Sequence, residues 1–407
     1  MPAPRDLDAP PHQTAARAQP DPAGPPSWLV LLLAVACGLT VANLYYAQPL
    51  LSTLQRAFQV DAVTAGGLIT ATQIGYATGL LLLVPLGDRI ENRRLITILL
   101  TLATSALVVA GLAPSFGVLL GALLTGGATL VVAQILVPFA ADLAPDHTRG
   151  RVVGRVMTGL LTGILLSRTL GSLLAEAAGW RSVYLTSAAL MAMLTLVLRS
   201  ALPRRPPTAR LGYPQLLRST ARLVRIHPAL RRRALYQAAM FGAFSAFWTT
   251  ISYVLTSAPF HFSQLGVGLF ALAGAGGAAV APLAGRWADR GLARPMTAAA
   301  FVLAALAFAL AGFGRTSLVA LGLAAILLDV AAQTTLILGQ QVIYQLDPQA
   351  RARLNSAFMA IFFVGGAIGS QAGSFAYHYG GWVAVAAFGA ALPVLGLLLW
   401  LTEPRNN

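Results

Sequence analysis

Apolar runs of about twenty residues recur along almost the whole of this chain, and each is long enough to carry a helix through a hydrocarbon core of about 30 Å. Twelve can be delimited, near 28–50, 64–86, 95–113, 117–141, 154–176, 182–201, 234–256, 265–286, 295–313, 317–341, 354–376 and 382–401. Lipid offers no partner for an open backbone N–H or C=O, so runs of this length specify helices. The expected fold class is an all-α polytopic membrane protein with twelve transmembrane helices. Composition agrees: 10% of residues are charged, where a soluble domain carries about 25%.

A net charge of +15 raises the question of nucleic acid, and its placement answers it. Every basic residue is arginine, and the arginines gather in every second connection. The groups are Arg89, Arg93, Arg94; Arg149, Arg151, Arg155; a dense set from Arg204 to Arg233; Arg286, Arg290, Arg294; and Arg351, Arg353. The intervening connections hold only Arg56, Arg181 and Arg315. Short arginine-rich loops stay in the cytoplasm, so both termini are expected there and the charge records topology, with no nucleic-acid partner implied. Cys37, the only cysteine, lies in the first run, can form no intramolecular disulfide and reads as a small packing residue.

The longest polar segment between runs divides the chain six and six. The expected organisation is a disordered cytoplasmic tail over 1–27, a six-helix bundle over 28–202, a basic cytoplasmic linker over 203–233, a second six-helix bundle over 234–402 and a short tail over 403–407. The proline- and alanine-rich first segment lacks the large apolar side chains of a core. It is no secretory signal, because the first apolar run starts late and is too long. In the linker, Leu216, Leu217, Leu223 and Val224 share one helical face against Arg218, Arg222 and Arg225, which suits either a helix on the membrane surface or a solvated connection.

The two sixes resemble each other. "GRVMTGLLTGILLSRTLGSLL" aligns with "SAFMAIFFVGGAIGSQAGSFA", pairing Gly163 with Gly365 and Gly171 with Gly373, and the "GW" at 179–180 pairs with the "GW" at 381–382. A parallel duplication of six spans is a feature of secondary transporters, whose substrate site lies between the repeats at the midplane. Gly75 and Gly79, Gly159 and Gly163, and Gly365, Gly369 and Gly373 follow the small-xxx-small spacing that brings backbones close, for static packing or for helices that slide.

With twelve spans in two similar sets, "GDRIENRR" after the second and "GRWADRG" after the eighth, the chain resembles the major facilitator superfamily. That family's signature is Gly-x-x-x-Asp-Arg-x-Gly-Arg-Arg/Lys between spans two and three, with an echo in the second half. The echo is kept as Gly285, Asp289, Arg290 and Gly291, while the first copy keeps Asp88, Arg89 and Arg93 but has Val84, Glu91 and Asn92 at the other positions. The resemblance implies a cytoplasmic gate at these residues. An acidic side chain at one helix end can meet the positive end of another, and arginines can pair with carboxylates. Span five is similar to the antiporter motif through Gly154, Gly163 and Gly171, with Ser167, Arg168 and Ser172 replacing its Gly-Pro and last Gly. The frame implies export, and the chain is similar to the arabinose-efflux-permease-like, drug:proton antiporter branch.

Two charges lie deep in apolar runs, Asp329 in span ten and Arg168 in span five. A charge at the centre of a spanning helix costs at least about 2.5 kcal/mol, so it faces a bundle interior or a wet cavity. Arg168 lies roughly 14 Å and Asp329 roughly 18 Å from the same side of the membrane by helical rise. Paired, they would bridge the halves. A change that separates them would let Asp329 take up a proton, which makes the proton the expected coupling ion; the alternative is a fixed pair that only specifies packing. Glu176, near the outer end of span five, is a weaker candidate.

Further cavity candidates are Asn43, Tyr45, Tyr46 and Gln48 in span one, Gln73 in span two, Gln134 in span four, Phe241, Phe244 and Trp248 along one face of span seven, and Gln333 and Gln340 beside Asp329. Aromatic walls with a few amides suit an amphiphilic organic molecule, though packing explains each residue taken singly. The expected function is a proton-coupled exporter of small organic molecules; an importer, a polytopic membrane enzyme and a non-transporting receptor are the alternatives. Five scattered histidines give no metal-ligand spacing, and there is no Walker-type loop, so no metal, cofactor or ATP is expected. Exclusive arginine use with abundant alanine fits a high-G+C bacterium, hence its inner membrane. A monomer without an obligatory protein partner is expected.

Overall fold

The computed structural model describes residues 24–204, 212–347 and 350–403. The expected tails before 24 and after 403, and residues 205–211 of the linker, lie outside the described residues. Among the described residues the chain is helical, without a strand.

Span one is broken. Helix α1 (Ser27–Ala42) ends in a turn at 43–46 and α2 (Ala47–Phe58) resumes it. Asn43 stabilises the break: its amide donates to the Leu39 carbonyl at 2.8 Å and accepts from Ser187 at 2.6 Å. Irregular backbone at membrane depth is tolerated only inside protein, and Asn43, Tyr45 and Gln48 are all buried here. Span two is α3 (Ala62–Leu82), closed by a 3-10 turn Val84–Asp88, and span three is α4 (Asn92–Gly111). Span four comprises α5 (Phe116–Thr129) and α6 (Val132–Leu143), and spans five and six are α7 (Asp146–Ala178) and α8 (Trp180–Ala201).

The linker forms α9 (Tyr213–Ile226), which buries Leu216, Thr220 and Leu223 against the protein. It touches both sets of spans: Tyr213 donates to the Leu82 carbonyl at 2.7 Å, and Arg353 donates to Ser219 at 2.9 Å. Span seven is α10 (Pro228–Thr256). The sequence predicts span eight as one rod, but it is a short α11 (Gln264–Phe270), a 3-10 turn Ala271–Gly274 and α12 (Ala275–Asp289). Spans nine and ten are α13 (Ala293–Phe313) and α14 (Leu318–Tyr344), and α15 (Arg351–Leu401) holds spans eleven and twelve, bent at Gly381.

The repeat is visible in the backbone. Gly179 has φ 80° and Gly381 φ 61°, a region open to glycine, so each "GW" turns one long helix into the next. Span five packs on span one where a methyl group on Gly163 would strike the Gly38 carbonyl; span eleven packs on span seven where one on Gly369 would strike the Gly242 carbonyl. No hydrophobic force drives helices together in lipid, so such backbone-to-backbone contact supplies the attraction.

The first six spans meet the last six mainly through α3 on α15, α2 on α10 and α7 on α11. Away from the arginine-rich face this seam is hydrogen-bonded. Gln264 donates to the Pro49 carbonyl at 2.8 Å and to Ser172 at 3.2 Å, and accepts from Thr53 at 2.9 Å. Thr169 donates to the Gly268 carbonyl, Glu176 accepts from the Leu265 amide, and Gln371 donates to the Val63 carbonyl. On this same side α7 packs along α11 and the 3-10 turn that follows it.

Candidate functional site: a buried charge relay between the halves

Arg168 and Asp329 are both buried, with 2% and 6% of their surface exposed. They do not form a direct ion pair. Trp248 links them: the Arg168 guanidinium lies 4.5 Å from its ring centroid, and its indole N–H donates to Asp329 Oδ2 at 3.2 Å. Tyr45 and Phe244 complete an aromatic box, with ring centroids 4.9 and 5.6 Å from the guanidinium. A cation in such a box is held by ring quadrupoles without a full counter-charge. Sequence reasoning placed the two charges at one depth; it had no means of showing that an aromatic side chain from a third helix stands in their contact.

The broken spans build this site. The turn at 43–46 sets Tyr45 and Gln48 facing inward, and the Arg168 Nε donates to Gln48 Oε1 at 2.9 Å. The 3-10 turn of span eight brings Gly274 against the carboxylate, where an added Cβ would lie 3.4 Å from Asp329 Oδ1. Two polar atoms remain without a partner, Arg168 Nη2 and Gln48 Nε2. The void beside Arg168, walled by Trp248 and Phe270, has a volume of about 10 Å³. It is barely large enough for one water, so the site is closed down around the charges.

The other candidates fall into three groups. Phe241 stacks on Phe362 at 3.8 Å and on Phe244 at 5.5 Å, extending an aromatic slab away from Arg168. Gln73 donates to Ser245 at 3.1 Å across the seam. Gln134 and Gln340 belong to a chain of amides nearer the arginine-rich face: Gln134 donates to Tyr76, Asn355 donates to Gln134 at 3.3 Å, and Gln340 and Tyr344 donate to Asn355. Gln333 is half-buried on the same helix as Asp329. Tyr46 is not in the charge site but lines a groove of about 600 Å³ between α1 and α7, with Leu31, Gly38, Ser167 and Leu170. That groove is larger than the central void yet almost wholly apolar and confined to the first six spans, so the charge site is the better candidate for coupling. Asn355 and Gln264 were not predicted; isolated amides at helix ends carry no signal of a partner more than two hundred residues away.

The residues expected to form a gate are asymmetric. Asp88 is half-buried at the end of its 3-10 turn, within the field of Arg353 on span eleven, and Arg93 donates to the Leu202 carbonyl at 3.5 Å. Asp289 and Arg290 are exposed, as are Arg89 and Arg151, and Gly291 has φ 74°. Near the arginine-rich face, spans two and eleven are therefore in each other's field, while Arg151 of span five and Asp289 and Arg290 of span eight stand exposed. Of the antiporter-like frame, Gly163 makes the contact with Gly38, Gly171 faces the Tyr46 ring, and Gly154 has open space beside it.

Comparison with known proteins places this architecture. The sequence matches the Major Facilitator Superfamily over residues 30–336 and 234–407, and the chain belongs to that family. It is 44% identical over 373 residues to the uncharacterized transporter YgaY of Escherichia coli O157:H7, covering 91% of this chain and 94% of that one. It is 37% identical over 403 residues to the probable transporter SCO4007 of Streptomyces coelicolor, covering 98% and 94%. Among solved structures, a bacterial homologue of the human lysosomal transporter Spinster in an inward-facing and occupied conformation matches with TM-score 0.74 at 16% identity, over 92% of this chain and 96% of that one. The nucleoside transporter NupG matches with TM-score 0.72 at 17% identity, over 92% and 100%; these likenesses show the fold. The chain is a multi-pass membrane transporter of the superfamily and not an enzyme.

Proposed function

We propose that this transporter couples proton movement to the passage of a small organic molecule by alternating access, with Asp329 as the proton acceptor. The observation that carries the reading is the Arg168–Trp248–Asp329 relay across the seam between the first and last six spans. A carboxylate whose one hydrogen bond among the described residues comes from an indole N–H, close to a guanidinium but not salt-bridged to it, is poised to change its charge when the halves separate. The arginine-rich face is the cytoplasmic one, the membrane is the bacterial inner membrane, and the hydrogen-bonded seal around Gln264 closes the outer side. Asp88, Arg89, Arg93, Gly285, Asp289, Arg290 and Gly291 form the inner gate, with Asp88 in the field of Arg353 in this conformation.

Export is the direction that the antiporter-like frame of Gly154, Gly163 and Gly171 supports. A second reading, proton-linked import, is favoured by the unpartnered donors of Arg168 and Gln48, because a site that gains a proton becomes net positive and invites a co-bound anion. The test is flux in sealed liposomes containing an internal pH dye, over a panel of amphiphilic cations, sugars, nucleosides and organic acids. Substrate-dependent proton movement in wild type, abolished in Asp329→Asn with folding intact, is the expected result. Its sign separates exchange from co-transport. Unchanged flux in Asp329→Asn would remove Asp329 from the coupling path.

A further inference from the structure

The relay leaves the guanidinium incompletely satisfied. Arg168 spends its Nε on Gln48, its faces on Tyr45, Phe244 and Trp248, and leaves Nη2 with no acceptor. A guanidinium has no acceptor atoms, so the Gln48 oxygen must face it and the Gln48 amide nitrogen must point elsewhere. That nitrogen is also unpartnered, on a side chain only 1% exposed. Two buried donors, one of them charged, are thus left open on side chains joined by a single hydrogen bond. Buried polar groups are almost always paired, so such orphans mark something that is missing.

Asp329 is not what they lack in this arrangement. Its Oδ2 is taken by Trp248 and its other oxygen lies against Gly274. The charged or titratable groups acting on it are Arg168, from span five, and Tyr45, from the break in span one. Beside the guanidinium, Phe244, Phe241 and Phe362 form a stacked slab.

We infer that, when the halves part and this closed-down site opens, it receives an organic anion, its carboxylate taken by Arg168 Nη2 and Gln48 Nε2 and its apolar body laid along the Phe244–Phe241–Phe362 slab. Arginine and carboxylate match through charge-assisted hydrogen bonds, and the slab suits a flat or extended apolar group. With Asp329 ionised the site already holds one positive and one negative charge, so an anion would leave it net negative. With Asp329 protonated the guanidinium stands alone and the anion restores neutrality. Proton and anion therefore occupy the site together, which is the proton-linked co-transport reading and not exchange. The inference rests on the relay being the transport site.

The test uses the full chain, purified in detergent, with benzoate, phenylacetate and hexanoate as carboxylate probes and benzamide and benzylamine as neutral and cationic counterparts. Thermal unfolding and tryptophan fluorescence, which Trp248 reports from beside Arg168, are followed at millimolar ligand. The expected result is stabilisation by at least one carboxylate and by neither counterpart, weakened roughly tenfold or more in Arg168→Gln and in Gln48→Leu. Gln48→Leu keeps the side-chain bulk and serves if Arg168→Gln does not fold. In Asp329→Asn the carboxylate should bind at least as tightly as in wild type, with little dependence on pH. No response to any carboxylate, or an equal response to benzylamine, would overturn the inference. Proton flux driven by a cargo without an acidic group would sink the anion site and leave coupled transport standing; carboxylate binding without any coupled flux would do the reverse.

Discussion

The guanidinium of Arg168 rests 4.5 Å from the ring of Trp248, and the N–H of that same ring donates to Asp329 at 3.2 Å. One side chain from span seven thus serves two opposite charges from spans five and ten. Its face meets the cation and its edge meets the anion, as the quadrupole of an indole and its single donor require.

Replacing Trp248 divides these two contacts. Trp248→Phe keeps an aromatic face for Arg168 and removes the donor to Asp329, and should destabilise the fold by about 1–3 kcal/mol, the usual cost of a buried acceptor left unpaired. Trp248→Leu also loses the cation–π contact, adding roughly 0.5–2 kcal/mol. Unfolding midpoints in matched detergent should fall in the order wild type, Phe, Leu. Equal midpoints for Phe and Leu would show that the ring face contributes nothing to holding Arg168.

The antiporter-like frame of span five is unequal in its demands. A methyl group on Gly163 collides with the backbone of Gly38, whereas one on Gly154 meets nothing within 4 Å. Gly163→Ala should therefore push α7 from α1 and lower stability by about 1–3 kcal/mol, the range for overpacking. Gly154→Ala should leave stability unchanged or slightly raised, since alanine is the better helix former. A neutral Gly163→Ala would show that α1 and α7 separate freely.

Much of this was legible in advance. Twelve spans, the arginine bias, the glycine frame and the pairing of the two "GW" turns all depend on local pattern, and the superfamily followed from them. The depth of Arg168 and Asp329 was also readable, because helical rise converts position into height. What was not readable is lateral. The breaks in spans one and eight are set by tertiary contacts such as Asn43 with Ser187, and hydropathy sees only unbroken apolar runs there. Gln264 meets Thr53 across 211 residues; no periodicity in either segment encodes that meeting. Glu176, judged a weak candidate, proved to hold the start of α11 through the Leu265 amide.

The two "GW" glycines make a matched experiment. Gly179 and Gly381 both hold positive φ, and neither would bring an added Cβ within 4 Å of another group. Alanine at either position should cost only backbone strain, about 1–3 kcal/mol. The two single variants should lower the unfolding midpoint similarly. A large difference between them would mean that one turn relaxes and the other is held by its surroundings.

Asp61 gives a pH-dependent contribution outside the spans. It caps α3 by accepting from the Thr64 amide at 2.7 Å, and that hydrogen bond holds its carboxyl below the usual carboxylate range. A depressed folded value means the cap is fully in force above the unfolded pKa of about 3.9 and is lost as pH falls through the folded one. Asp61→Asn keeps an acceptor but removes the titration, so its midpoint should vary less than wild type as pH is lowered through the acid range. Parallel curves would assign that stretch of the acid response to other carboxylates.

Gln264 ties the two sets of spans together on the arginine-poor side. One side chain joins three groups of the first six spans, the Pro49 carbonyl, Ser172 and Thr53. Gln264→Ala removes all three hydrogen bonds, each worth about 1 kcal/mol net, and should shift the population toward a state open on the arginine-poor side by roughly fivefold or more. Ser52 is a suitable reporter, since its hydroxyl is buried without a partner and cysteine there breaks no hydrogen bond. In a Cys37→Ala background, which removes the one buried native thiol, labelling of Ser52→Cys by an impermeant maleimide should speed up when Gln264→Ala is added. Unchanged labelling would mean that the α3–α15 contact, with Gln371 bonded to Val63, keeps this face shut by itself, and that Gln264 follows the closure without causing it.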